Sequence, residues 1–152
     1  MYTTRSDKPF DPITHSILGV LHAIAAKHNA SYFIIGATAR DILLNNVFGI
    51  DRGRATRDVD FAIALADWNE FEVIKQEFID SGDFQPAAGS AHRLYYQQHK
   101  FGIAYPLDLI PFGEIESAEN TIAWPPDMAV VMNVIGYPEA LKSQFRSMLA
   151  LT

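Results

Sequence analysis

The sequence predicts an α/β (α+β) fold in which helices flank a mixed β-sheet. Two observations indicate this class. Apolar stripes at helical spacing alternate with short, β-prone apolar runs, and the predicted order is helix, strand, helix, strand, helix, hairpin. With 152 residues, nearly half of them apolar, the chain is long enough to bury the core of one domain.

Three segments carry helix-start signals. Asp11 before Pro12 predicts a first helix, whose apolar stripe runs to about Asn29. Thr38 and Asp41 match a capping box, which predicts a second helix from there to about residue 46. Residues 67–70 are another capping box, and they predict a third helix that Gly82 ends.

The strands are predicted from short runs rich in β-branched and aromatic residues. Gly36 ends the first of them, and residues 92–98 and 103–110 form a hairpin. Residues 124–126 are expected to be irregular, and a last helix is expected from Pro138. The predicted strands are Tyr32–Ile35, 57–65, 92–98, 103–110 and 128–133.

Composition excludes several classes of protein. The absence of cysteine excludes disulfides, thiolate zinc sites and cysteine nucleophiles, and it is consistent with a reducing cytoplasm. We find no signal peptide and no apolar run of membrane-spanning length, so we expect a cytoplasmic protein with no membrane partner. A net charge of −6 argues against a protein that coats nucleic acid through charge alone.

Asp58 and Asp60 are the strongest candidates for chemistry. On the predicted strand 57–65, residues two apart point to the same face, with Cα atoms roughly 7 Å apart. Two such carboxylates repel each other unless a cation lies between them. Hard divalent cations such as Mg²⁺ prefer oxygen ligands, so the pair predicts a magnesium site, which Mn²⁺ could also occupy.

Asp108 is a third candidate carboxylate, because it lies between leucines on another predicted strand. Three carboxylates on adjacent strands can hold two metal ions, one for the attacking hydroxyl and one for the triphosphate and its leaving group. The alternative is a structural acid that pairs with an arginine.

The turn after the first predicted strand is a candidate phosphate site. A strand that ends at Gly36 before a helix exposes backbone N–H groups of Gly36, Ala37 and Thr38 to an anion. Arg40 fits a phosphate contact or a structural ion pair equally well. Arg57 is the best candidate of a basic loop that also holds Arg52 and Arg54, and the alternative for that loop is a solvated surface.

Together these motifs resemble a known superfamily. Gly36-Ala37 followed by Asp58-Val59-Asp60 is similar to the signature of the DNA polymerase β-like nucleotidyltransferases, and residues 36–44 resemble the motif of its tRNA CCA-adding and poly(A) polymerase branch. The closer resemblance is to bacterial AbiE-type nucleotidyltransferases. It is carried by residues 53–62, 67–68, 92–94, 106–113 and 122–126.

The resemblance implies roles for these residues. Asp58, Asp60 and Asp108 would be the catalytic metal ligands of a two-metal site, and Gly36 with Ala37 would form the phosphate turn. The chain departs from the pattern at Ala37, where a second Gly or Ser is usual, and in the longer spacing, with residues 46–56 as an insertion. Members also continue into a C-terminal region, so we expect residues 1–152 to be one catalytic-core domain of a longer protein.

The implied function is transfer of a nucleoside monophosphate from an NTP to a hydroxyl of RNA, tRNA included, or of a protein. A non-catalytic nucleotide-binding or regulatory module of the same fold is the alternative. A third possibility is the toxin of a toxin–antitoxin pair, whose partner would be an antitoxin.

Overall fold

The computed structural model describes residues 4–51, 57–98 and 102–142. Within these ranges the helices are α1 (Pro12–Lys27), α2 (Gly36–Asp41), α3 (Trp68–Asp80) and α4 (Tyr137–Lys142), and a π-helical stretch (Ile42–Val47) continues α2. The strands are β1 (Tyr32–Ile35), β2 (Val59–Ala64), β3 (Phe84–Pro86), β4 (Arg93–Gln98), β5 (Ile103–Phe112), β6 (Thr121–Trp124) and β7 (Val130–Asn133).

Five of the strands form one mixed sheet in the order β1-β2-β5-β4-β3. Strands β2 and β5 pair in parallel, and the pairs β1–β2, β4–β5 and β3–β4 are antiparallel. Strands β6 and β7 form a separate antiparallel pair. This arrangement confirms the predicted α+β class with a mixed sheet and helices.

The two faces of the sheet differ in character because side chains alternate along each strand. Val59, Phe61 and Leu107 lie on one face, called the apolar face, and each is 2% exposed or less. The ring of Phe61 lies 6.0 Å from that of Phe78 on α3, and α1 packs against α3. The main core therefore lies between this face and helices α1 and α3.

The opposite face is called the acidic face, and it carries Asp60, Ala62 and Asp108. Asp60 on β2 is paired in register with Asp108 on β5, so both side chains project from this face. Tyr137, the first residue of α4, packs edge-to-face on Phe33 and Phe112, which lie on the same face. Helix α4 thus covers part of the acidic face.

Two of the predicted helix starts are confirmed. The Asp11 carboxylate accepts hydrogen bonds from the backbone N–H groups of Ile13 and Thr14, and Pro12 is the first residue of α1. Asp67 accepts from the N–H of Glu70 at the start of α3. The Glu70 carboxylate in turn accepts from the N–H of Ala66, so this capping box forms as expected.

The predicted start of the second helix is wrong. Helix α2 begins at Gly36, with Ile35 as its N-cap and no capping side chain, and it ends at Asp41. Gly36 has a φ of +68°, which lets the chain turn from β1 directly into the helix. Thr38 and Asp41 are therefore helical residues and do not form a capping box.

The structure contains two strands that the sequence does not predict, β3 and β6. Strand β3 lies in a segment expected to be a loop, and β6 ends at Trp124, which was expected to be irregular. Strand β7 is shorter than the predicted strand 128–133, and α4 begins one residue before Pro138. The hairpin β4–β5 is confirmed, although its connection at residues 99–101 lies outside the described residues.

Candidate active site

The acidic face brings Asp60 and Asp108 to the same level of two neighbouring strands. Their Cα atoms are partners in the parallel pairing of β2 with β5, and such strands lie roughly 4.8 Å apart. Asp58 directly precedes β2 and is exposed. Because the predicted strand started at residue 57, it placed Asp58 inside the strand, whereas the structure places it at the entrance.

Gly36 lies against the carboxylate of Asp60. A Cβ atom built on Gly36 would be 2.8 Å from Oδ2 of Asp60, which is closer than real Cβ contacts. Position 36 therefore needs glycine for two reasons: the positive φ and the approach of this carboxylate. The contact joins the predicted phosphate turn to the acidic pair.

Thr38 fixes the helix to the strand beside the site. It is 5% exposed, and its hydroxyl donates a hydrogen bond to the backbone carbonyl of Asp58. The hydroxyl proton is thus already donated to the Asp58 carbonyl, and only the backbone N–H of Thr38 remains as a donor for an anion. This bond holds the first turn of α2 next to the start of β2.

The pKa of Asp60 is raised above its ordinary value. Burial is the main cause, and the negative charges of Asp108 and Asp58 add to it, while Arg93 and His92 act in the opposite direction. Ionised Asp60 therefore lies in an unfavourable environment. A cation bound next to Asp60 and Asp58 would relieve it.

Asp108 is held by Arg93. Nε of Arg93 donates to Oδ1 of Asp108 at 2.7 Å, and its Nη2 donates to Oδ2 at 2.8 Å. The two residues are directly opposite each other on the antiparallel strands β4 and β5. The hydrogen bond to Asp108 is also the main cause that raises the pKa of Arg93.

The carboxylates fit one divalent cation better than two. Within the described part of the chain, no three acidic or histidine side chains are grouped so that they could hold a metal ion. Mg²⁺ is commonly bound by one or two carboxylates, with water and substrate phosphate as its other ligands. Asp58 and Asp60 satisfy that requirement, whereas the Arg93 guanidinium already engages Asp108.

The remaining predicted site residues are placed as follows. Ala37 lies in the first turn of α2, next to Gly36. Arg40 is exposed and donates to Oδ1 of Asp41 from Nε and Nη2, at 3.3 and 3.2 Å, so the structure shows the ion-pair alternative. Arg57 is exposed directly before Asp58, and Arg52 and Arg54 lie outside the described residues.

Tyr137 is a neighbour of the site that the sequence did not indicate. Burial is the main cause that raises the pKa of its phenol, and the charge of Asp60 adds to it. The hydroxyl makes no hydrogen bond to another described residue. Only the packing of α4 on Phe33 and Phe112 brings it there, and no motif signals such packing.

In the described part of the chain, none of the helices combines the length and apolarity needed to cross a lipid bilayer.

No family model and no curated protein matches this chain. It is similar to the solved complex of a CCA-adding enzyme with CTP, with 16% identity, a TM-score of 0.42 and coverage of 67% of this chain and 21% of that one. The Thermotoga maritima CCA-adding enzyme complexed with tRNA gives 16% identity, a TM-score of 0.43 and coverage of 88% and 32%.

A third similar structure is the solution structure of the antibiotic-resistance factor ANT(2″)-Ia, with 17% identity, a TM-score of 0.41 and coverage of 79% of this chain and 63% of that one. The chain therefore spans less than two thirds of the length of each of these three proteins. At these identities and scores the likeness assigns no role to any residue.

Proposed function

We propose that this chain is the catalytic core of a Mg²⁺-dependent nucleotidyltransferase, which moves a nucleoside monophosphate from an NTP to an acceptor hydroxyl. One observation carries the proposal: the carboxylate of Asp60 lies against the Gly36 turn, with Asp58 beside it. A cation-binding acid pair and a phosphate-accepting turn at one point are what a metal–triphosphate complex requires.

In this proposal Asp58 and Asp60 would hold the cation, which would supply positive charge to the triphosphate and would make the attacking hydroxyl more acidic. The backbone N–H groups of Gly36, Ala37 and Thr38 orient the phosphates. The acceptor oxygen forms a bond to the α-phosphorus while the bond to pyrophosphate breaks, and the hydroxyl proton is released to water. The acidic face and the buried Thr38 keep these groups in fixed positions before substrate arrives.

The experiment is transfer of label from each of the four α-³²P-labelled NTPs to bulk tRNA and to proteins by the full chain. Asp60→Asn and Asp58→Asn should each lower Mg²⁺-dependent transfer on the order of 10³-fold, because several kcal/mol of transition-state stabilisation are lost. Asp83→Asn is the matched control, since Asp83 is an exposed acid outside the site. Absence of Mg²⁺-dependent transfer with every NTP and acceptor, or unchanged transfer in Asp60→Asn, would contradict the proposal.

The acceptor is either an RNA 3′ end or a protein hydroxyl, and the same experiment separates the two. The two-cation version of the mechanism requires Arg93 to release Asp108, so it stays a prediction alongside the single cation. A cognate antitoxin, as expected from the AbiE-type resemblance, and a cytoplasmic location also stay predictions. Co-purification of the tagged protein from its native host is a direct test of an antitoxin.

A non-catalytic nucleotide-binding module is the second candidate, and the engagement of Asp108 by Arg93 favours it. Titration calorimetry with Mg²⁺ and each NTP separates it from the transferase. Binding of an NTP without label transfer to tRNA or protein supports the module, whereas binding with transfer supports the enzyme.

A further inference from the structure

Arg93 presents its guanidinium in a fixed orientation on the acidic face. Two parallel bonds of 2.7 and 2.8 Å to the carboxylate of Asp108 use its Nε–Nη2 edge. Such a fork holds the guanidinium plane in one geometry, unlike a single contact. Arg93 has five N–H donors; Asp108 accepts two and the Tyr95 hydroxyl also interacts with the guanidinium, so donors remain for a further partner.

Exposure distinguishes the two partners. The side chain of Asp108 is 13% exposed, whereas that of Arg93 is 35% exposed. The Asp108 side chain is therefore the more buried of the two, and the Arg93 side chain is more open to a ligand that approaches from solvent.

Strand register places Arg93 on the same face as the acid pair. Arg93 on β4 is opposite Asp108 on β5, and Asp108 is opposite Asp60 on β2. With strands roughly 4.8 Å apart, the Arg93 and Asp60 Cα atoms are separated by about twice that distance.

Charge balance favours a cationic role for Arg93 over a second metal ion. Asp58, Asp60 and Asp108 with Arg93 sum to a formal charge of −2, which one divalent cation neutralises. A bound triphosphate then still needs a positive partner. A fixed, partly exposed guanidinium suits phosphate oxygens, because it can donate two hydrogen bonds at once.

We propose that Arg93 is a phosphate-binding residue of this site, and that Asp108 is a positioning residue that orients Arg93 and binds no cation. The ligand class is a triphosphate or pyrophosphate group, independent of the nucleobase. This inference rests on the proposed function and gives it one cation and one arginine in place of two cations.

The first test is titration calorimetry of the full chain with Mg²⁺–tripolyphosphate and with Mg²⁺–ATP. Arg93→Gln should weaken both ligands by the same factor, roughly 10- to 100-fold, because a charge-assisted contact to phosphate is lost. The affinity of Arg93→Lys should lie between that of the wild type and that of Arg93→Gln, since lysine keeps the charge and loses the two-bond contact. Equal binding by Arg93→Gln and the wild type would overturn the proposal.

Arg5→Gln is the matched control for this series. Arg5 makes the same two-bond contact to Asp7, at 2.9 and 2.8 Å. These side chains are 48% and 60% exposed, and neither residue is part of the proposed site. Tripolyphosphate binding should be unchanged in this variant. A loss equal to that of Arg93→Gln would mean that net charge alone drives binding, which also overturns the proposal.

The second test is Mn²⁺ binding measured by electron paramagnetic resonance. Asp108→Asn should keep Mn²⁺ affinity within about twofold and still weaken tripolyphosphate, whereas Asp60→Asn should lose Mn²⁺. Loss of Mn²⁺ in Asp108→Asn, or a second Mn²⁺ bound by Arg93→Gln, would show that Asp108 is a metal ligand and overturn the assignment.

A double variant separates binding from folding. Arg93→Gln leaves a mostly buried carboxylate without its partner, which destabilises the fold, whereas Arg93→Gln with Asp108→Asn leaves two neutral amides. The double variant should fold, bind Mn²⁺ and bind tripolyphosphate weakly. If the wild type binds neither phosphate ligand, the proposed function fails as well; if the wild type binds and transfers while the double variant does so equally, only the assignment of Arg93 fails.

Discussion

Strand β2 places two environments on opposite faces of one sheet. Phe61 points to the apolar face and is completely buried against α3, whereas its neighbour Asp60 points to the acidic face, where burial and two other carboxylates raise its pKa. The apolar face contributes stability through packing. The acidic face lowers the stability of the fold, because burial and neighbouring negative charges disfavour the ionised form of Asp60 there.

This comparison shows why the acidic face depends on the stability that the apolar face provides. Charges held close together repel, and only a scaffold stabilised elsewhere can keep them in place. The apolar face is that scaffold. The comparison also predicts that adjacent residues of β2 respond to substitution with opposite signs.

The largest effect on stability is expected for Phe61→Ala. Removing this ring should lower the free energy of unfolding by about 3–5 kcal/mol, through lost burial and the cavity left against Phe78. Urea denaturation measures the change, and Val73→Ala, at a site 42% exposed on α3, should stay within about 0.5 kcal/mol as a control. A loss below about 1 kcal/mol for Phe61→Ala would show that this face is not the main source of stability.

The next effect concerns Asp60 and the cation that we propose it binds. A carboxyl whose pKa is raised by folding binds protons more readily when folded, so stability falls as pH rises from the ordinary value of 3.8 through the raised value. Above that window the ionised form destabilises the fold, and Asp60→Asn should therefore melt at a higher temperature than the wild type at pH 7.

Adding Mg²⁺ should reverse that ranking. The wild type gains about 2.7 kcal/mol when Mg²⁺ is at a hundred times its Kd, whereas Asp60→Asn gains little. Differential scanning fluorimetry at pH 7 with and without Mg²⁺ measures both changes. Equal melting shifts in the two proteins would show that Asp60 does not bind the cation.

A smaller effect is expected where the turn meets the acidic face. Gly36→Ala and Gly82→Ala both place a side chain at a positive φ, +68° and +88°, and each should cost on the order of 1–2 kcal/mol. They differ in their surroundings, because a Cβ atom built on Gly36 would lie 2.8 Å from Oδ2 of Asp60, whereas one built on Gly82 would have nothing within 4 Å.

Nucleotide transfer separates these two glycine variants. Gly36→Ala should lose activity approaching 10²-fold, since its methyl group displaces a site carboxylate, while Gly82→Ala should retain activity. Transfer should be measured at a temperature where both variants are folded, so that unfolding does not contribute to the loss of activity. Similar activity in both would mean that the Gly36 contact does not position Asp60.

The smallest effect is expected at the edge of the helix layer on the apolar face. Glu77 on α3 contacts Lys27 and His28 at the end of α1, at 2.9 and 2.7 Å, and these partners lower its pKa. A lowered pKa stabilises the fold above the ordinary value of 4.5, and this contribution is lost as pH falls below it. Glu77→Gln should thus be slightly less stable than the wild type at pH 7, and this difference should shrink as pH falls below 4.5. A difference of the same size at pH 7 and pH 3 would point to packing.

Much of this fold could be predicted from the sequence because it depends on local patterns. Asp11-Pro12 and the box at 67–70 encode α1 and α3, and the apolar runs encode β1, β2 and the hairpin β4–β5. Strand β3 was missed because only three residues form it, between loop-forming residues. The start of α2 was misplaced because a glycine with positive φ begins the helix without any side-chain cap.

The candidate site could be predicted in part. The spacing of Asp58 and Asp60 and the upstream glycine are visible in the sequence, and the structure brings Asp60 and Gly36 into contact. The partner of Asp108 could not be named, because it depends on the register of a hairpin whose pairing spans fifteen residues. The position of Tyr137 near the site could likewise not be predicted from the sequence, since it depends on the tertiary packing of α4.

The parallel pairing of β2 with β5 has a consequence for folding. Asp60 and Asp108 are far apart along the chain, and α3, β3 and β4 must be arranged before their strands can meet. Loop-closure entropy makes such non-local pairing slow compared with helix formation. During refolding, tripolyphosphate binding that needs both the proposed cation at Asp60 on β2 and Arg93 on β4 should therefore appear with the last cooperative step, so that this ligand acts as a reporter of the completed chain topology.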